Sequence, residues 1–443
     1  MITSFCSLLA ALLLQSQAML VLSGVSSAEE LDEQTVERLE NLKRHPLSLN
    51  QASRGRLNAS GLFTPYQIAS ILDYRGRSGD ILSFTELGFI DGIGVEMAGA
   101  LQEFISLESK NAPGQKQKQR ISTSLTGRYG SNGYLAKGRL NIGERVELAI
   151  GSKSGAVISG GAAYYGRRWL GKVIAGQWNA RFGQGLVLWT GMTMSGFSPG
   201  GNLDKRAAGL SLSGSTSPLN VPYGLAAEFN FGRWSATTIL KTEFGKSAFK
   251  LTPAVNLNWT GRNAGAGITV VGNAERIIAG ADARWHTGFT SLWAEFAWDF
   301  AGRAPAAVLG MRWEPAYLVN FSALARWYSP GFSGQWSAGA RSSSKTSDEA
   351  GGTLGFRFKW LSATADYAWH PSKNTMQAKA IAVATPVLKR GIIEWEPTIR
   401  LSARWRSSDS FKWRSEVRLQ SNLGLGEWKI NLRGDAVWCR EYG

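Results

Sequence analysis

Around residue 90 the chain reads Leu87-Gly88-Phe89-Ile90-Asp91-Gly92-Ile93-Gly94-Val95-Glu96-Met97-Ala98. Two glycines flanking one aliphatic residue permit a tight reversal between helices, because glycine reaches backbone conformations closed to other residues. A helix that opens at Gly94 has unpaired amide groups in its first turn, and those N–H groups can hold a phosphate oxygen. Gly92, Ile93, Gly94 and Val95 are therefore candidate contacts to a nucleic-acid backbone, gripped without its sequence being read. Gly61, in Ser60-Gly61-Leu62-Phe63, and the cations Arg75 and Arg77 are candidates for further backbone contacts.

Other chemistry is sparse. The chain has three histidines, His45, His286 and His370, and no His, Cys, Asp and Glu cluster with metal-ligand spacing. No catalytic residue, metal or cofactor is expected. A hydrolase using His286 or His370 is the distant reading. Each of the two follows a tryptophan at the end of an apolar run, which points instead to a membrane interface. Gly183 and Gly185, in Phe182-Gly183-Gln184-Gly185-Leu186-Val187-Leu188-Trp189, predict a bulge or a bend toward the inside of whatever sheet contains them.

The hairpin resembles the helix-hairpin-helix motif. With Leu49 to Ser53, the helix Ile68 to Arg75, Ser78-Gly79 and Phe84 to Leu87, it is similar to the duplicated module of ComEA-type competence DNA receptors over Pro46 to Ile105. The resemblance implies a small all-α domain that binds DNA. Two departures stand beside it. Phe63 occupies the place of the first hairpin's second glycine, and Val95 and Glu96 stand where DNA-gripping motifs carry Lys or Arg. A carboxylate there repels phosphate, so the alternative is a module that plugs a pore or docks a periplasmic protein. The segment Phe182 to Gly191 is similar to one in outer-membrane proteins that join such a module to a large barrel.

The elements that must carry these residues are written in a second pattern. From Ile121 onward apolar and polar residues alternate, most clearly at Leu292, Ala294, Phe296, Trp298 and Phe300 against Trp293, Glu295, Ala297 and Asp299. Successive strand side chains point to opposite faces, so each strand has one apolar face. Repeated segments of this kind, many ending in Trp or Tyr in a chain with 18 tryptophans, predict a transmembrane antiparallel β-barrel with aromatic girdles. At roughly 20 residues per strand and connection the count comes to about 16 strands, within a range of 14 to 18.

Residues 1–28, apolar and ending Ser26-Ser27-Ala28, read as a signal peptide. Residues 29–110 form the helical domain, 111–120 a basic linker, and 121–443 the barrel. Export followed by a barrel places the chain in the cell outer membrane, with its helical domain in the periplasm. Ser342 to Gly352, rich in Ser and Gly, is expected to be a loop between strands. Net charge is +16, which suits anionic lipid headgroups, DNA or another polyanion as partners. The two readings carried forward are a barrel that binds or passes such a polyanion, and a pore or structural barrel whose helical domain is a plug or docking module.

Overall fold

The computed structural model describes residues 18, 19, 22, 33–108, 121–130, 133–166, 168–190, 203–205, 207–215, 222–244, 249–316, 319–342, 346–390, 393–408, 412–425 and 428–440. The cleavage region and the basic linker lie almost wholly outside them.

From Glu33 on, the described residues of the N-terminal module form five helices: α1 (Glu33–Arg44), α2 (Arg54–Ser60), α3 (Pro65–Ser78), α4 (Phe84–Gly88) and α5 (Gly94–Leu101). Their starts follow local chemistry. The Ser53 side chain accepts from the Arg56 amide, and Ser83 from that of Glu86. Thr64 and Gln67 cap α3 reciprocally, with Pro65 in its first turn. A two-residue parallel bridge, β1 (Leu47–Ser48) with β2 (Ile105–Ser106), ties the ends of the module together. Leu57, Leu62, Phe63, Ile71, Ile81, Leu87, Leu101 and Phe104 fill its core. Buried Asn50 serves this core: it donates to the carbonyls of Ile81 and Leu107 and accepts from the Ile81 amide.

The rest is an antiparallel sheet ordered around a barrel. Its first strands are β3 (Ile121–Gly130), β4 (Gly133–Ile142), β5 (Val146–Lys153), β6 (Ala156–Tyr165), β7 (Leu170–Arg181), β8 (Gly209–Leu212), β9 (Tyr223–Phe231) and β10 (Trp234–Phe244). There follow β11 (Phe249–Thr260), β12 (Ala264–Gly272), β13 (Ile277–Thr287), β14 (Thr290–Asp299), β15 (Ala304–Ala316), β16 (Val319–Tyr328), β17 (Glu349–Phe358) and β18 (Leu361–His370). The last are β19 (Thr375–Ala384), β20 (Leu388–Arg390), β21 (Ile393–Arg406), β22 (Trp413–Leu425) and β23 (Trp428–Arg440).

Strand β8 pairs only with the end of β7, and β20 continues the β19 ladder along β21. Nineteen strands thus form the wall among the described residues, more than the 14 to 18 expected. The excess comes from two-residue turns, which shorten the repeat below 20 residues. Described registers run unbroken from β3 through to β23, and the strand order brings these two edges together.

Alternation is borne out where it was clearest. On β14, Leu292 and Phe296 are exposed on the outer face, as is Phe300 just past its end, while Trp293, Glu295, Ala297 and Asp299 are buried inside. Exposed aromatics gather at both rims: Trp169, Trp234, Trp285, Trp313, Trp360 and Trp395 at one, Tyr129, Tyr134, Trp327, Trp369, Trp413 and Trp438 at the other. Trp360 and Trp369 bracket one strand nine residues apart. At about 3.3 Å per residue and a tilt near 40° they stand ~23 Å apart across the barrel, close to the apolar band of a membrane barrel. The expected loop over Ser342 to Gly352 is corrected in part, since Glu349 to Gly352 begin β17 and Ser342 is tied to Glu349 by its amide and hydroxyl.

Candidate functional site

The hairpin forms as read. Gly92 and Gly94 have φ of 83° and 75°, Ile93 between them is buried, and Val95 is exposed. The reversal is braced from α3: Gln67 Nε2 donates to the Gly92 carbonyl at 2.7 Å, and Tyr66 lies so close that any side chain at 92 would overlap its ring.

The cations expected to help are otherwise engaged. Arg75 donates to the carbonyls of Ala52 (2.9 Å) and Asn50 (2.6 Å), so it holds the module together. Burial lowers its hold on the proton, against a smaller effect of Asp80. Arg77 pairs with Asp73 one turn back. Gly61 ends α2 in a left-handed conformation (φ 65°), with the Arg38 guanidinium packed where a side chain would stand. Among Gly92, Ile93, Gly94, Val95, Gly61, Arg75 and Arg77, the structure brings together only the hairpin residues.

The module instead sits in one mouth of the barrel. Arg54 donates to the Gly232 carbonyl of the β9–β10 turn at 3.0 Å and lies 3.4 Å from Thr260 Oγ1 at the end of β11. Arg56 reaches Glu144 at 3.2 Å and Glu147 at 2.9 Å, and stacks over Tyr165. Burial works against the Arg56 charge, but Glu147, Tyr165 and Glu144 outweigh it and raise its pKa above the usual guanidinium value. Lys172, fully buried, pairs with Glu228 at 3.2 Å and donates to the Leu210 carbonyl at 2.7 Å; the Gly55 carbonyl is 3.4 Å away. Tyr66 stacks on His286 with 5.0 Å between ring centroids.

Both barrel histidines therefore depart from the expected membrane-interface role. His286 faces the mouth, within 2.9 Å of Ser291 Oγ, and His370 lies 2.9 Å from the Asp348 carbonyl oxygen. Alternation explains this: each is one residue out of phase with the exposed Trp285 or Trp369 beside it. Gly196-Phe197-Ser198-Pro199-Gly200, the one stretch with nucleophile-elbow spacing, falls outside the described residues.

Inside, part of the lumen is filled. The ladder between β6 and β7 stops at the pair Gly161 and Gly176. Gly176 has φ 106°, and a side chain there would overlap the Gly160 carbonyl. The chain then turns inward, burying Trp178, Ala180, Phe182, Leu186, Val187, Leu188 and Trp189. The predicted inward bend is real, but its pivot is Gly176. Gly183 (φ 57°) and Gly185 (φ 86°) shape the turn beyond it. That turn closes around the Glu295 carboxylate of the wall, which accepts from the amides of Gln184 at 2.5 Å and Leu186 at 3.1 Å. A second inward segment, Phe332 to Ala340, docks on the first: Trp189 donates to the Trp336 carbonyl at 2.8 Å and Ala338 to the Gly185 carbonyl at 2.9 Å.

A different sector of the inner face is basic, and single-sequence reading passed over it because it depends on register. Lys379 of β19 lies opposite Arg404 of β21, which lies opposite Arg414 of β22. Arg400 lies opposite Arg418 in the next inward row but one. Like charges placed directly across a ladder destabilise it. Carboxylates stand among these rows: Asp366 of β18 lies opposite Lys379, Asp435 accepts from Arg418 at 2.6 Å and Arg433 at 2.8 Å, and Glu416 stands 3.4 Å from Arg418.

No family model matches the chain, and no curated protein matches it. Among solved structures, Pseudomonas aeruginosa OpdL is similar at 8% identity and a TM-score of 0.41, over 71% of this chain and 91% of that one. Pseudomonas aeruginosa OccK1 (OpdK) is similar at 10% identity and 0.39, over 72% and 96%. For Pseudomonas aeruginosa OprD the values are 10% and 0.35, over 69% and 89%.

Proposed function

We propose that this protein is an outer-membrane β-barrel pore that passes small anionic solutes along the basic sector of β19 to β22, with its helical module seated as a plug in the periplasmic mouth. The observation that carries the reading is the pair of cross-strand rows, Lys379, Arg404 and Arg414 in one, Arg400 and Arg418 in the other. A sheet under selection for stability alone would not set cations opposite one another; attraction of anions into the lumen gives them a use.

The girdle spacing supports a membrane-spanning wall. The long connections support its orientation: 329–348 and 182–222 lie at the end away from the module, beside the two-residue turn 154–155, whereas 232–233, 288–289 and 359–360 at the module's end are all two-residue turns. Short turns belong to the periplasmic side of such barrels. The module's Arg54, Arg56 and Tyr66 contact this rim, which favours a plug over a DNA-binding arm, as does the use of Arg75 and Arg77 within the module. Planar-bilayer recording across a salt gradient tests the reading. The reversal potential is expected to show anion preference; a cation-selective or silent barrel removes it.

A further inference from the structure

Two apolar residues upstream of α1 belong to the module's core. Met19 and Leu22, both helical, are 1% and 3% exposed and lie in one buried cluster with Leu39 and Leu42 of α1 and with Leu47 and Leu57, while Ala18 packs against that cluster. Three residues apart on a helix, Met19 and Leu22 share a face, and that face is buried. A chain cut after Ala28 would lose both side chains from the core. Losing even one buried side chain is costly, because the surrounding structure relaxes only partly into the space left.

The sequence holds a second bond with the same small-residue spacing. Leu8 to Leu14 is a run of seven apolar residues, long enough for the core of a leader, and Gln15-Ser16-Gln17-Ala18 follows it. Ser16 and Ala18 stand to the bond after Ala18 as Ser26 and Ala28 stand to the bond after Ala28. The first bond lies four residues beyond the apolar run and the second fourteen, with the core residues Met19 and Leu22 between them.

We propose that the leader ends at Ala18, that the Ala18–Met19 peptide bond is the processing site, and that residues 19–28 stay with the mature chain as the first part of the plug. A leader peptidase of the export machinery hydrolyses the bond: one water is consumed, the Ala18 carboxylate leaves with the leader, and Met19 gains a free amine. The cut precedes folding, so the burial of Met19 is its consequence and not an obstacle to it. Ala18 is only half-buried, so its departure gives the new ammonium group access to water while the Met19 side chain stays in the core.

Intact-mass measurement and amino-terminal sequencing of the full chain, expressed with its own leader and extracted from outer membranes, test this. The mature chain is expected to begin Met19-Leu20-Val21-Leu22. A chain that begins at Glu29, or one that keeps Met1, overturns the proposal. Ala18→Leu sets a bulky residue beside the bond and should block the cut there, whereas Ala28→Leu should leave the mature chain beginning at Met19; the reverse pattern also overturns it. The place of residues 19–22 in the plug has its own readout, limited proteolysis of residues 33–108. A Met19→Ser, Leu22→Ser chain should be cleaved at least about tenfold faster, as expected when two core side chains are lost. Cleavage at the wild-type rate would remove these residues from the plug, whatever solute the pore passes.

Discussion

Arg56 of helix α2 and Glu147 of wall strand β5 meet at 2.9 Å, both largely shielded from solvent, across the junction between the helical module and the barrel. A buried ion pair contributes little over an apolar pair, but removing one partner is expensive because the other charge is left behind. This contact therefore fixes where the plug sits more than how stable the barrel is.

Arg56→Met retains the aliphatic stem and removes the charge. The plug is expected to loosen by about 3 kcal/mol, seen as faster proteolysis of residues 33–108 and larger conductance. Glu147→Gln in the same chain should restore part of the loss. Unchanged proteolysis in the single variant would show that the module is held by other contacts.

Glu295→Ala removes the acceptor for the amides of Gln184 and Leu186. Each buried N–H left unpaired costs about 1 to 3 kcal/mol, so the inward turn should become labile. Hydrogen exchange at residues 183–188 should rise sharply, with Glu295→Gln intermediate. Protection equal to wild type would mean that the turn is set by its own packing.

Gly176→Val places a side chain against the Gly160 carbonyl at φ 106°. The strand cannot then both pair with β6 and turn inward, and the folded, heat-modifiable species on a gel should be largely lost. Gly183→Ala should be milder, since a methyl there meets the Glu295 side chain and not backbone, although φ of 57° still strains it. Equal effects of the two would contradict Gly176 as the pivot.

Gel-shift titration of the full-length protein with duplex DNA is expected to show no band that weakens steeply between low and moderate salt. Binding that does fall with salt would restore the backbone-gripping reading of Gly92 to Val95.

How much of this was legible follows from the range over which each signal acts. The hairpin and the strand phase at Leu292 to Phe300 are local, set by glycine geometry and two-residue alternation, and the structure agrees with both. The inward bend was visible only as a cluster of glycines, and its pivot lay upstream at Gly176, because the contact that demands glycine is with Gly160 on the neighbouring strand. His286 departs from its tryptophan neighbour for a similar reason: strand phase turns it inward, and its partner Tyr66 is far away in sequence. The strand number exceeds 14 to 18 because turn length is not written in the alternation, and many turns here are only two residues long. The basic rows could not be seen at all, since Lys379, Arg404 and Arg414 are distant in sequence and become neighbours only through register.

Single-channel recording of wild type beside an Arg404→Ser, Arg414→Ser variant is the most direct measurement of the central claim. The wild-type reversal potential in a potassium chloride gradient should lie on the anion side and shift toward zero in the variant, with the barrel still folded. A reversal potential that is the same in both proteins, or that favours cations in the wild type, would contradict an anion path along these rows.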